Sequence, residues 1–158
     1  MKRSLVAAIV CLTTVRALAG PVEEATAHSK AFERGVNARD AKGILALYAP
    51  DAHVVWPGQG EEATGTAEIE KLVASFVKDL PKDAKIVLKS QTAVPLGGGQ
   101  VATVGHWEES FTDADGRKQT ADIRTTEIIK EVKKKTLYVV DHASIGLPPP
   151  PTGQPDAK

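Results

Sequence analysis

Two hydrophobic periods divide the chain. From Val22 to Ala38, Ala25, His28, Ala31, Phe32, Gly35 and Val36 recur at spacings of three and four, which predicts a helix. Asp40 can cap a second, short helix through Tyr48, with Ile44, Leu45, Leu47 and Tyr48 apolar, and Pro50 bars its continuation. Asp51 to Trp56 favours a short strand ended by Pro57-Gly58. The clearest helix follows, with Thr66 as cap, Glu68 in the first turn and a single apolar stripe of Ile69, Leu72, Val73, Phe76, Val77 and Leu80, closed by Pro81.

Beyond Pro81 the period becomes two. Lys85 to Ala93, Gln100 to Thr112, Lys118 to Glu131 and Thr136 to Ile145 read as four strands rich in Val, Ile and Thr. Asp115-Gly116 is a strong hairpin dipeptide and Lys133 to Lys135 a second tight connection, so these strands are antiparallel. Helices first and an antiparallel sheet second predict an α+β fold in which the helices cover one face of the sheet. A sheet that curls around them leaves a cone with an open mouth.

Both ends fall outside this pattern. Lys2 and Arg3, the apolar run Leu5 to Val15 and Ala17-Leu18-Ala19 read as a secretory signal peptide cleaved after Ala19, giving export to a periplasm or the medium. The apolar run is well short of the roughly twenty residues a spanning helix needs, so no stable membrane anchor is expected. Residues 148–158 carry a proline run and little apolar surface, and read as a disordered tail. The domain itself is placed at residues 20–147.

Composition then narrows the function. Twenty basic and twenty acidic residues are interleaved, which argues against a nucleic-acid partner. Signal cleavage removes Lys2, Arg3, Arg16 and the single cysteine, Cys11, so the mature chain is mildly acidic and thiol-free, as suits an oxidising compartment. Asp113-Ala114-Asp115-Gly116 lacks the later acidic positions of a calcium loop, and Gly97 to Gly99 is followed by no helix or Lys-Ser/Thr pair; both read as hairpin turns. No Gly-x-Ser-x-Gly elbow and no metal-spaced histidines occur, so neither metal nor cofactor is expected.

Several strings resemble a known superfamily when taken in order. Val36-Asn37-Ala38-Arg39-Asp40, Leu45 to Ala52 (LALYAPDA) and Gly65-Thr66-Ala67-Glu68-Ile69 resemble the amino-terminal half of nuclear-transport-factor-2-like proteins, in their SnoaL-like and ketosteroid-isomerase-like branches. Tyr138 to Ser144 (YVVDHAS) is similar to the closing strand of SnoaL-like domains. The resemblance spans about Ala25 to Leu147. It implies a cystatin-like α+β cone, amino-terminal helices packed on a curved, mainly antiparallel sheet, with an apolar cavity, commonly a homodimer through the outer sheet face. It does not fix an activity, because the superfamily includes isomerases, dehydratases and association domains.

The isomerase branch uses an Asp base and an oxyanion hole made of a Tyr and a protonated Asp. The positions that match here hold Trp56 for the base, Phe32 for the Tyr and, near the ungapped match, Thr125 for the second Asp, with Asp122 and Glu127 only out of register. At least two of three catalytic groups are therefore missing. Steroid-type isomerisation or other acid–base chemistry stands as an alternative, and a purely structural dimerisation module as another. The leading expectation is a cavity for an apolar or amphipathic small molecule, with no assignable reaction.

Candidate cavity residues are His142, Arg124, Trp56, His53, Asp122, His106, Tyr138 and Phe32. Strict alternation puts His53 and Trp56 on opposite faces, His106 with Val104 and Glu108, and His142 with Tyr138, Val140 and Ser144. The plainer alternative has Asp122 and Arg124 paired with charges on a solvated face and His142 bonded to its neighbours at a strand end. His28 is a weaker candidate.

Overall fold

A computed structural model describes residues 20–57 and 61–146; the expected signal peptide and the tail lie outside them. Nine elements follow in order: α1 (Pro21–Ala38), α2 (Ala41–Leu45), β1 (Tyr48–Val55), β2 (Glu62–Thr64), α3 (Gly65–Asp79), β3 (Lys85–Gly97), β4 (Gln100–Thr112), β5 (Lys118–Val132) and β6 (Lys135–Ile145). The six strands form one sheet in the order β2-β1-β6-β5-β4-β3. Every neighbouring pair is antiparallel except β1 and β6, which run parallel. The helices pack on one face, α1 against β3, β4 and β6 and α3 against β1 and β2. This is the expected α+β cone.

Local chemistry accounts for most boundaries. The Asp40 carboxylate accepts the Gly43 N–H at 2.9 Å and starts α2. The turn between β5 and β6 consists of Lys133 and Lys134, both in the left-handed region at φ 50° and 65°, the geometry of a two-residue hairpin. Asp113 accepts the Asp115 and Arg117 N–H groups, so the β4–β5 turn is an aspartate-stapled hairpin.

Two expectations are corrected and one element is added. The second helix stops at Leu45 instead of reaching Tyr48, because the Leu47 carbonyl accepts the Tyr138 N–H at 2.8 Å and Tyr48 pairs with Tyr138 in the sheet. Strand pairing across the fold here overrides a weak local helix preference. The cap of α3 is Thr64 instead of Thr66, and the Glu68 carboxylate reaches back to the Thr64 N–H at 2.8 Å. The three-residue β2 is an addition, paired to β1 through His53 and Thr64.

The core lies between the helices and the sheet. Ala52 and Val54 from β1, Trp56 just after it, Ile69 and Val73 from α3, Val101 and Trp107 from β4, and Ile129 and Tyr138 from β5 and β6 are all buried. Beyond this packed region the helices do not fill the sheet's concave face.

Candidate functional site

The unfilled part of the concave face is a cavity of about 180 Å³. Its walls are apolar and largely aromatic: Phe32 from α1, Trp56 at the end of β1, Phe76 from α3 and Trp107 from β4. Phe32 is the hub, with ring centroids 6.0 Å from both indoles and 6.3 Å from Tyr138, while Trp56 and Phe76 meet at 4.9 Å. Edge-to-face packing of this kind holds the wall in shape. Gly105 is needed for it: a Cβ there would come within 2.4 Å of Thr125 Oγ1 and 2.7 Å of Trp107 Nε1. With no side chain in the way, the Trp107 indole lies over the strand and donates to Thr125 Oγ1 at 3.1 Å.

Two buried carboxyls break this apolar lining, Glu127 on β5 and Asp141 on β6, which face each other as register partners. Asp141 accepts the Tyr48 hydroxyl at 2.5 Å and the Trp56 indole N–H at 2.9 Å. Both donors share Oδ2, so Oδ1 makes no hydrogen bond among the described residues. Glu127 accepts the Thr103 hydroxyl. Burial, reinforced by the Asp141 charge, pushes the Glu127 carboxyl up to about 7, and burial raises Asp141 as well despite its two donors. A carboxyl in this range can give or take a proton from a bound molecule near neutral pH. A third acid, Glu109, sits half-buried in the lining and is also raised by burial.

Behind the cavity, the hydroxyl of Tyr138 has Ser29 as its polar neighbour but forms no well-made hydrogen bond. His28 Nε2 lies 3.1 Å from the Leu47 carbonyl, and its ring packs edge-on against Tyr138 at 4.3 Å. Burial lowers this imidazole to about 4, so it is neutral at physiological pH and can donate to that carbonyl.

The structure divides the residues that the sequence put forward. Trp56, Tyr138 and Phe32 line the cavity. Arg124, Asp122, His106 and His142 are corrected to the opposite, outer face of the sheet, and His53 also points away from the cavity, with its ring 3.1 Å from the Thr64 hydroxyl. His106 pairs with Asp122 at 3.2 Å on that exposed face. For β5 the reason is simple alternation: Ile123, Thr125, Glu127 and Ile129 point inward, which turns Asp122 and Arg124 outward. For β6 it is a bulge. Ile128 pairs with Val140 but Ile129 with Tyr138, so Val139 is the extra residue. The bulge lets Tyr138 and Asp141, three positions apart, both face inward and sends His142 outward. Asp141 was missed for this reason. Glu127 was seen only as an out-of-register acid, and Thr125, the in-register residue, lines the cavity beside it.

Among the described residues no group of three or more His, Cys, Asp or Glu side chains converges as a metal site, and no helix is long and apolar enough to cross a membrane.

A family model of the SnoaL-like domain matches residues 29–130, well over half of the chain. The chain belongs to the SnoaL-like domain family. The matched span includes Glu127 but stops before β6, so Tyr138 and Asp141 of this SnoaL-like domain lie beyond it. Comparison with curated proteins gives no match. Among solved structures, the domain is similar to a ketosteroid isomerase-like protein from Erwinia carotovora atroseptica, at 18% identity and TM-score 0.69, over 82% of this chain and 98% of that one. An uncharacterized cystatin-like-fold protein from Caulobacter vibrioides aligns at 22% identity and TM-score 0.67, over 79% and 89%. A type 2 hexachlorocyclohexane dehydrochlorinase aligns at 10% identity and TM-score 0.70, over 78% and 84%. At these identities the likeness is one of fold.

Proposed function

We propose that this SnoaL-like domain binds a small, mainly apolar molecule in the aromatic cavity and holds its polar end against Glu127 and Asp141. The observation that carries the reading is an apolar-walled hollow of about 180 Å³ that contains two buried carboxyls. A packed core has no use for such a combination, because an acid without a charged partner inside a protein costs several kcal/mol if it ionises. A binding site uses apolar walls for affinity and a few polar groups for orientation. The domain works, on this reading, as an exported protein lacking residues 1–19, and as a homodimer through the outer face of the sheet, where Val87, Val104 and Val140 are exposed.

The chain's only two tryptophans, Trp56 and Trp107, both line the cavity, so intrinsic fluorescence reports on it directly. Titration with 2-phenylethanol is expected to shift the emission saturably, and Ala143→Phe, which fills the cavity from β6, to abolish the shift. A linear response identical in the two proteins would sink the proposal.

A second reading, proton-transfer catalysis, draws on Glu127, whose carboxyl titrates near neutrality beside the cavity. It predicts deuterium exchange at the carbon next to the carbonyl of a small cyclic ketone, roughly 10²-fold or more above buffer and lost in Glu127→Gln. Exchange at the buffer rate removes this reading and leaves the binding one standing.

A further inference from the structure

The charge character of the lining is one-sided. The ionisable side chains of the cavity are Glu109, Glu127 and Asp141, together with the phenol of Tyr138, and no Lys, Arg or His lines it among the described residues. A neighbouring hollow of about 310 Å³ shares Trp56, Pro57, Phe76 and Glu109 with the cavity and adds Glu61 and Asp79, again with no basic residue. The basic side chains of the surrounding elements do not enter either hollow. Arg39 donates to the carbonyls of Val77, Leu80 and Pro81, His28 is neutral against Leu47, and His106, Arg124 and His142 are on the outer face.

The two buried acids are held by uncharged donors, Asp141 by the Tyr48 hydroxyl and the Trp56 indole and Glu127 by the Thr103 hydroxyl with that of Thr125 beside it. Asp141 Oδ1 has no hydrogen-bond partner among the described residues although the residue is only 4% exposed. Around these acids stand the rings of Phe32, Trp56, Phe76 and Trp107, whose faces attract a cation when water is excluded. Missing from the arrangement is a positive charge that arrives from outside.

We propose that the ligand is an organic ammonium ion, a protonated amine on a compact apolar body, with its N–H groups directed at Asp141 Oδ1 and Glu127 and its hydrocarbon against the aromatic wall. This rests on the binding reading and narrows it to a class. A neutral molecule satisfies the walls but leaves the acids unpaired, and an anion meets three carboxyls.

The groups that face Glu127 are Asp141 and Tyr138 from β6, Thr103 from β4, Thr125 from β5 and Tyr48 from β1, with Glu109 in the same lining and Ser29 and His28 of α1 behind Tyr138. The ionisable members of this set are carboxyls, phenols and the neutral His28, so none of them brings a positive charge to Glu127 at neutral pH. An arriving ammonium ion favours the carboxylate form of Glu127 and releases its proton.

Calorimetric titration of the full chain with three matched compounds decides the matter: 2-phenylethylamine, 2-phenylethanol and 3-phenylpropanoate. At pH 8 the amine is expected to bind about tenfold or more tightly than the alcohol, the gain of one charge-assisted hydrogen bond, with the carboxylate weakest. Between pH 6 and 8 the amine's affinity is expected to rise by about tenfold as Glu127 ionises, since the amine itself stays protonated, while the alcohol's stays level. Glu127→Gln keeps the shape and is expected to remove most of the preference and the pH dependence. Equal binding of amine and alcohol, or tighter binding of the carboxylate, overturns the ammonium assignment and leaves the cavity reading intact. Binding of none of the three overturns both.

Discussion

Glu127 and His28 put opposite signs into the stability of one molecule. The Glu127 carboxyl is raised from 4.5 to about 7, so the folded state holds a proton that the unfolded chain has already lost. Its stabilising effect is complete below pH 4.5, declines as the pH rises, and is gone above 7. His28 is lowered from 6.5 to about 4, so the unfolded chain takes up a proton first. Its effect is complete above pH 6.5 and is lost as the pH falls towards 4. Each shift corresponds to up to about 3 kcal/mol. Urea denaturation across pH 4 to 8 is therefore expected to show wild type losing stability relative to Glu127→Gln as pH rises, and gaining relative to His28→Gln over the acid part of that range. Stability curves that stay parallel would show that neither group titrates differently on folding.

At the scale of the element, β6 shows how far a sequence pattern reaches. Its existence was legible from the Val- and Thr-rich run after Lys135, as were β3, β4 and β5 from theirs, and α1 and α3 from their apolar stripes. Its faces were not. A single bulged residue at Val139 reverses the alternation, and nothing in Tyr-Val-Val-Asp-His marks which valine is the extra one. On β5 the alternation itself was readable, but the covered face is chosen by α1 and α3 packing from elsewhere in the chain. Arg124 and Asp122 were therefore no less plausible than Thr125 and Glu127. Trp56, Phe32 and Tyr138 were easier, because large aromatic residues in a chain with so few of them have to be placed against something apolar. The lost turn of α2 has the same origin as the bulge, since the bonds from His28 and Tyr138 to Leu47 come from residues far away in the sequence.

The whole molecule has two differently finished faces. The concave face carries the helices and the cavity, while the convex face exposes Val87, Val104 and Val140 at 43%, 53% and 37% beside the His106–Asp122 pair. Apolar side chains from β3, β4 and β6 on one sheet face gain by being covered by a second copy. Sedimentation at micromolar concentration is expected to give twice the chain mass, and Val104→Lys to return it to one; a single-chain mass for the wild type would reject the dimer.

The parallel pairing of β1 with β6 joins residues as far apart as Tyr48 and Asp141, separated by 93 positions. Strands β3, β4 and β5 can zip together as successive hairpins while the chain is still emerging from the ribosome, but β1 has no neighbour on that side until the last strand arrives. Contacts this remote in sequence are slow to form. Closure of the fold and completion of the acid pair are thus the same late event, so a chain cut short before β6 has neither a finished sheet nor a place for a ligand.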